Sequence, residues 1–262
     1  MENMNYTLGR GELYFNKFKP GTQVGIGERY FGNTPSLSAN VQSDNLDHYN
    51  SDRGVKEKDA SVVLQTNRTG SFVTDHISPE NLALFFFGSV NALTVAAATN
   101  LAVAFDKVKV GYFYQLGESM ANPTGDRNIT NLKLTDDKTP TPTPLVAGTD
   151  YMLNPELGRV EILGGGAIVD GTTNLRGTYD ITASTREIII SGSQPVEGSL
   201  KYIAQNPVGD KIDYFWPWVK LTPNGDFALK GDEWQQIPFN IEILKRTGYE
   251  AVYATKRPAA SA

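Results

Sequence analysis

Few side chains in this sequence are spaced for chemistry. The only two histidines, His48 and His76, lie far apart, and the chain has no cysteine. No histidine cluster or thiolate set is therefore available for zinc, and thiol nucleophiles and disulfides are absent. Each histidine reads as a solvated or capping group. A serine nucleophile needs Gly-x-Ser-x-Gly before a helix; the nearest stretch, Gly117-Glu118-Ser119-Met120-Ala121, ends in Ala and precedes no helical run. The carboxylates of Asp136-Asp137 point to opposite faces if they lie on a strand and are simply solvated if they lie in a turn, so they do not bracket a glycosidic bond. Gly25-Ile26-Gly27 lacks the third glycine and following helix of a dinucleotide loop. Gly164-Gly165-Gly166 lacks the Lys-Ser/Thr of a phosphate cradle and reads as a hairpin tip. One pair keeps a binding reading open. Trp216 and Trp218, two apart on a strand-like run, share a face, either as a stacking platform for sugars or bases or as core or interface aromatics. The sequence thus predicts no enzyme, no cofactor and no metal.

The elements that carry these residues are mostly β. With 262 residues, 40% of them hydrophobic and 20% charged, the chain can build a real core as one large all-β domain or two smaller ones. A formal net charge of -5 gives no global field to hold nucleic acid or an anionic membrane. The N-terminus lacks a basic start and an apolar run, so no secretory signal is expected. Leu82 to Phe105 is too interrupted by polar residues for a membrane span. Strands are expected over Thr94 to Phe105, Lys107 to Leu116, Val146 to Leu163 with a central turn, and Asn174 to Thr182. Further strands are expected over Glu187 to Ile190, Ser199 to Ala204, Tyr214 to Leu221 and Trp234 to Leu244. The texture changes near Asn122, and a small β insertion is expected over 128–182 within a main domain of 1–127 and 183–262.

One stretch organises the rest. Leu37, Ala39 and Val41 alternate with Ser38, Asn40 and Gln42, the period of a strand with one apolar and one polar face. Ala60 to Arg68 forms a second strand, with Val63, Gln65 and Asn67 on its less clean polar face. The intervening loop, Asp44 to Asp59, is far longer than a hairpin turn. It mixes Asp44, Asp47, Asp52, Glu57 and Asp59 with Arg53, Lys56 and Lys58, and adds Leu46, Tyr49 and Val55. It reads either as a solvated tip or as an arm that docks on a neighbouring subunit. A short helix follows, with Ser78 as N-cap, Pro79 at its first position, Glu80 in the first turn and Gly88 at the left-handed C-terminal position. Leu82, Leu84, Phe85, Phe86 and Phe87 make it apolar nearly all round, so it requires burial on several sides, for which its own sheet on one side and another subunit on the other is one natural arrangement.

Gly32-Asn33-Thr34-Pro35, the strand and loop after it, Ile77-Ser78-Pro79-Glu80-Asn81-Leu82-Ala83-Leu84, and the closing run from Gly198-Ser199-Leu200 through Trp216-Pro217-Trp218 to Trp234-Gln235-Gln236-Ile237 resemble the major tail tube proteins of long, noncontractile-tailed bacteriophages. The likeness covers about 8–115 and 185–250. It implies a mainly β, tail-tube-like sandwich or barrel flanked by one short α-helix. It also implies hexameric rings stacked into a tube that passes tape measure protein and DNA, with the insertion outside.

On that resemblance Ser38, Asn40, Gln42, Val63, Gln65 and Asn67 line the lumen. Asp44, Asp47, Tyr49, Asp52, Arg53, Lys56, Glu57 and Lys58 form an inter-ring arm, and the apolar helix residues lie at a subunit boundary. The partners are further copies of the chain, the tape measure protein, the tail terminator and the distal tail or baseplate proteins. Phage DNA passes without sequence-specific binding, and the subunit binds no membrane. Assembly takes place in the host cytoplasm and the product resides in the virion. The alternatives are a β-sandwich module binding carbohydrate through Trp216 and Trp218, and the related tube protein of type VI secretion.

Overall fold

The computed structural model describes residues 6–52 and 54–258. The chain begins with β1 (Gly11–Lys17), β2 (Arg29–Tyr30), β3 (Ser36–Asn50), β4 (Glu57–Thr74) and the helix α1 (Pro79–Phe85). It continues through β5 (Ser89–Val95), β6 (Ala98–Phe105), β7 (Phe113–Gln115), β8 (Ile129–Asp136), β9 (Tyr151–Asn154), β10 (Arg159–Ile162), β11 (Leu175–Ile181) and β12 (Ser184–Ile190). It closes with β13 (Val196–Ala204), β14 (Ile212–Pro223), β15 (Ile237–Ile243) and β16 (Tyr253–Lys256). The fold is mainly β with one short helix among the described residues.

Two compact units emerge, residues 1–91 with 189–262 and residues 92–188. The inserted unit therefore starts well before the expected 128. The reason is pairing: β6 sets Phe105 opposite Leu175 of β11, and β7 sets Tyr114 opposite Val160 of β10. The Pro- and Gly-rich texture after Asn122 marks an internal turn, in which Asp126 N donates to Leu116 O at 2.7 Å. This unit holds two three-stranded sheets, β7-β10-β9 and β6-β11-β8, over a core that includes Val108, Leu116, Leu134, Val160 and Leu175. Within the expected strand Lys107 to Leu116 only Phe113–Gln115 is extended; Val108 is buried from irregular chain.

The first unit is an eight-stranded antiparallel sheet in the order β2-β1-β13-β14-β15-β4-β3, with β16 added on β14. Its register explains its two faces. Ala39, Gly70, Ile241, Leu221 and Val196 form one cross-strand row, and Asn40, Thr69, Glu242, Lys220 and Glu197 form the next. Successive side chains of a strand point to opposite faces, so one face is apolar and the other polar across five strands. Helix α1 covers part of the apolar face, where Phe31, Phe72 and Phe239 pack at 4.8 to 6.1 Å between ring centroids.

The helix begins as expected, with the Ser78 side chain accepting from Asn81 N at 3.2 Å. Its end differs. Phe87, not Gly88, takes the positive φ of 52°, while Gly88 N donates to Ala83 O and Phe87 N to Leu84 O. This double closure is a Schellman cap. Gly88 is needed for closeness instead, because a Cβ there would lie 2.0 Å from Ile190 O.

Candidate functional site

The charged stretch read as a long loop is mostly strand. β3 and β4 pair from Ser36↔Val73 to Asn50↔Glu57, with bulges at Asp44/Asn45 and His48/Tyr49, so only six residues separate the two strands. The outer half has no buried face, so it lacks the apolar alternation by which a strand is recognised. Asp44, Tyr49, Asp52, Lys56, Glu57 and Lys58 are exposed and Asp47 is half-buried. Arg53 lies outside the described residues. Polar pairs hold the ribbon locally: Asp47 accepts from Ser61 Oγ at 2.7 Å and pairs with Lys58 Nζ at 2.6 Å, and His48 meets Asp59. The Lys58 ammonium and then the Ser61 hydroxyl hold the Asp47 carboxyl below its ordinary range. Leu46, Tyr49, Val55, Val62, Val63 and Leu64 all remain exposed on the same ribbon.

The register assigns the strand faces. Ser38 stands opposite Ser71, Asn40 opposite Thr69, Gln42 opposite Asn67 and Asp44 opposite Gln65. Five of the six expected lumen residues therefore share one face, and Ser38 and Ser71 join through their hydroxyls at 3.0 Å. Val63 does not belong with them. A bulge between Asp44 and Asn45 sets Val63 opposite Asn45, which turns Val63 to the other face. A single inserted residue reverses the positions that follow it, here up to the second bulge at His48/Tyr49, a displacement invisible to simple alternation.

The two sheet edges are unlike. One ends in the two-residue β2, with Phe31 N donating to Leu13 O and Ile26 N to Lys17 O over the rest of β1. The other is β3, fifteen residues long and paired among the described residues only with β4. A bare edge of that length is a template for a further strand.

The helix residues are divided. Leu84 is buried in the chain's own core, Leu82, Phe85 and Phe87 pack against that core, and Phe86 remains exposed. Asn81, fully buried, locks the helix by donating to Phe31 O at 2.9 Å and His76 O at 2.8 Å while accepting from Arg29 at 2.7 Å. Burial lowers the Arg29 guanidinium's pKa.

The tryptophan platform fails. β14 carries an extra residue between Trp216 and Val219 relative to β13, so Trp216 turns into the core and Trp218 to the polar face. Trp218 Nε1 donates to Glu197 at 3.2 Å. Asp136 is buried at the end of β8, not solvated in a turn, with one oxygen accepting from Thr143 N and the other paired with Lys138. No group of three or more His, Asp or Glu residues among those described is arranged to hold a metal. No described helix is long and apolar enough to cross a membrane.

These features define an antiparallel, mainly-β protein with a projecting ribbon and one bare edge. Residues 6–251 match the model of a family described as protein of unknown function UCP028589, and the chain belongs to that family. No curated protein matches it.

Proposed function

We propose that this chain is a structural subunit that self-assembles as stacked hexameric rings into a tube, the tail tube of a long, noncontractile-tailed bacteriophage. The observation that carries the reading is the fifteen-residue bare edge of β3 on a sheet with one polar face. Such an edge on a free monomer invites uncontrolled pairing, and closing sheets edge to edge around a ring removes it. The polar rows that include Ser38, Asn40, Gln42, Gln65 and Asn67 then face a wet lumen, through which tape measure protein and DNA pass. A net charge of -5 suits a wall that DNA slides past without binding. The outer half of the β3–β4 ribbon reaches the next ring, and the 92–188 unit, too large for a narrow bore, sits outside. Terminator and distal tail or baseplate proteins cap the two tube ends. The sugar-binding alternative depended on Trp216 and Trp218 sharing a face, which the β14 bulge removes.

Replacing residues 43–66 by Asn-Gly, a two-residue turn suited to closing a hairpin between Gln42 and Asn67, tests the arm. The expected product is folded and forms rings or smaller species but no stacks. Tubes of normal length by electron microscopy contradict the arm's role.

A further inference from the structure

The two ends of the eight-stranded sheet are chemically matched. At the end where β14 begins, the apolar face opens into a groove of about 850 Å³ walled by Val41, Tyr202, Tyr214, Trp216 and Ile243, with Arg10 and Arg68 on its rim. Trp216 is only 5% exposed, and its indole N–H has no hydrogen-bond acceptor among the described residues. Neither Arg10 nor Arg68 joins an ion pair among the described residues. A groove of this volume, lined by aromatic and aliphatic side chains together with polar groups that include Asn33 and Thr34, has the character of a binding site.

At the other end of β14, about 23 Å beyond Trp216 at the usual strand rise, residues 224–236 form a loop. Trp234, expected to start a strand, stands on this loop 92% exposed, with Asp232 and Glu233 before it and exposed Leu229 nearby. The loop is anchored. Phe227 packs on the core with its ring 6.0 Å from Phe85, and Gln235 Nε2 donates to Ala228 O at 3.1 Å. An exposed tryptophan on an anchored loop is displayed at low ordering cost, the form that binding anchors take.

We propose that Trp234 of one copy docks in this groove of a second copy, with Asp232 and Glu233 meeting Arg10 and Arg68. The charges are opposite, the groove is aromatic, and the two surfaces lie at opposite ends of one sheet. The contact is therefore head to tail and propagates along the strands instead of closing a dimer. It rests on the tube reading and deepens it by naming the joint between successive rings. The β3–β4 ribbon extends past the Val41–Arg68–Ile243 row at the groove end, so arm and groove engage the same neighbouring ring.

Four full-length variants test this by sedimentation and electron microscopy: Trp234→Ala, Arg68→Glu, Glu233→Arg, and the last two combined. Each single change is expected to raise the concentration needed for stacking by about tenfold or more, with an unchanged thermal transition because the side chains are exposed or half-exposed. The combined charge reversal is expected to recover most of the loss. Tubes in the wild type that persist equally with Trp234→Ala, or a combined variant no better than the singles, overturn the contact and leave the tube reading standing. A wild-type chain that associates head to tail through Trp234 without forming hollow tubes overturns the tube reading and leaves the contact. A wild-type chain that stays monomeric overturns both.

Discussion

Trp216 and Trp218, two positions apart on β14, lie on opposite faces of the eight-stranded sheet. Trp216 stacks on Tyr214 with the rings 5.9 Å apart and 15° from parallel, inside the core, while Trp218 bonds Glu197 on the polar face. The bulge between them is what a period-two reading cannot see.

The first prediction follows from that division. Trp216→Ala should cost about 3 to 5 kcal/mol of unfolding free energy, the usual range for emptying a core aromatic site. Trp218→Ala should cost about 1 kcal/mol, the scale of one net hydrogen bond with some packing. Urea unfolding of both variants measures the difference, and equal losses would place both rings in one environment.

The second concerns acid. The Lys138 ammonium first, and then the Thr143 backbone N–H, hold the buried Asp136 carboxyl down at about 2. A carboxyl whose folded-state pKa lies below its ordinary value stabilises the fold above that ordinary value, and loses this as pH falls through the folded-state value. Thermal midpoints of the wild type should therefore fall as pH is lowered from about 4 to about 2. Asp136→Asn should start lower at neutral pH and show a shallower fall. Parallel curves for the two proteins would remove Asp136 from the acid response.

The third concerns the helix end. Gly88 carries no Cβ where one would lie 2.0 Å from the Ile190 carbonyl oxygen, so Gly88→Ala should destabilise by about 1 to 3 kcal/mol through forced backbone movement. Chemical denaturation reads the change, and a neutral substitution would show that the close approach relaxes freely.

What the sequence revealed depended on burial. α1 was legible because Ser78, Pro79 and Glu80 mark its start by local chemistry. The inner part of β3 is legible because Leu37 packs against the core, whereas in β4 the sequence marks only Ala60 to Arg68 and the strand runs on through the buried Phe72 to Thr74. The outer half of β3 is not legible: from Asp44 to Asn50 neither face is buried, so no alternation separates strand from loop, and the bulge at Asp44/Asn45 moves Val63 off the shared face. The inserted unit was placed too late because its first strands, β6 and β7, pair with partners beyond residue 158, and long-range pairing leaves no local mark. Trp234 opens the expected strand Trp234 to Leu244, but the strand starts only at Ile237 and Trp234 stands exposed on the preceding loop.

Self-assembly into a tube is read out by negative-stain electron microscopy of the purified protein over rising concentration. Rings and hollow tubes of uniform bore that lengthen with concentration are expected. Monodisperse single subunits at every concentration, with no ring or tube, would contradict it.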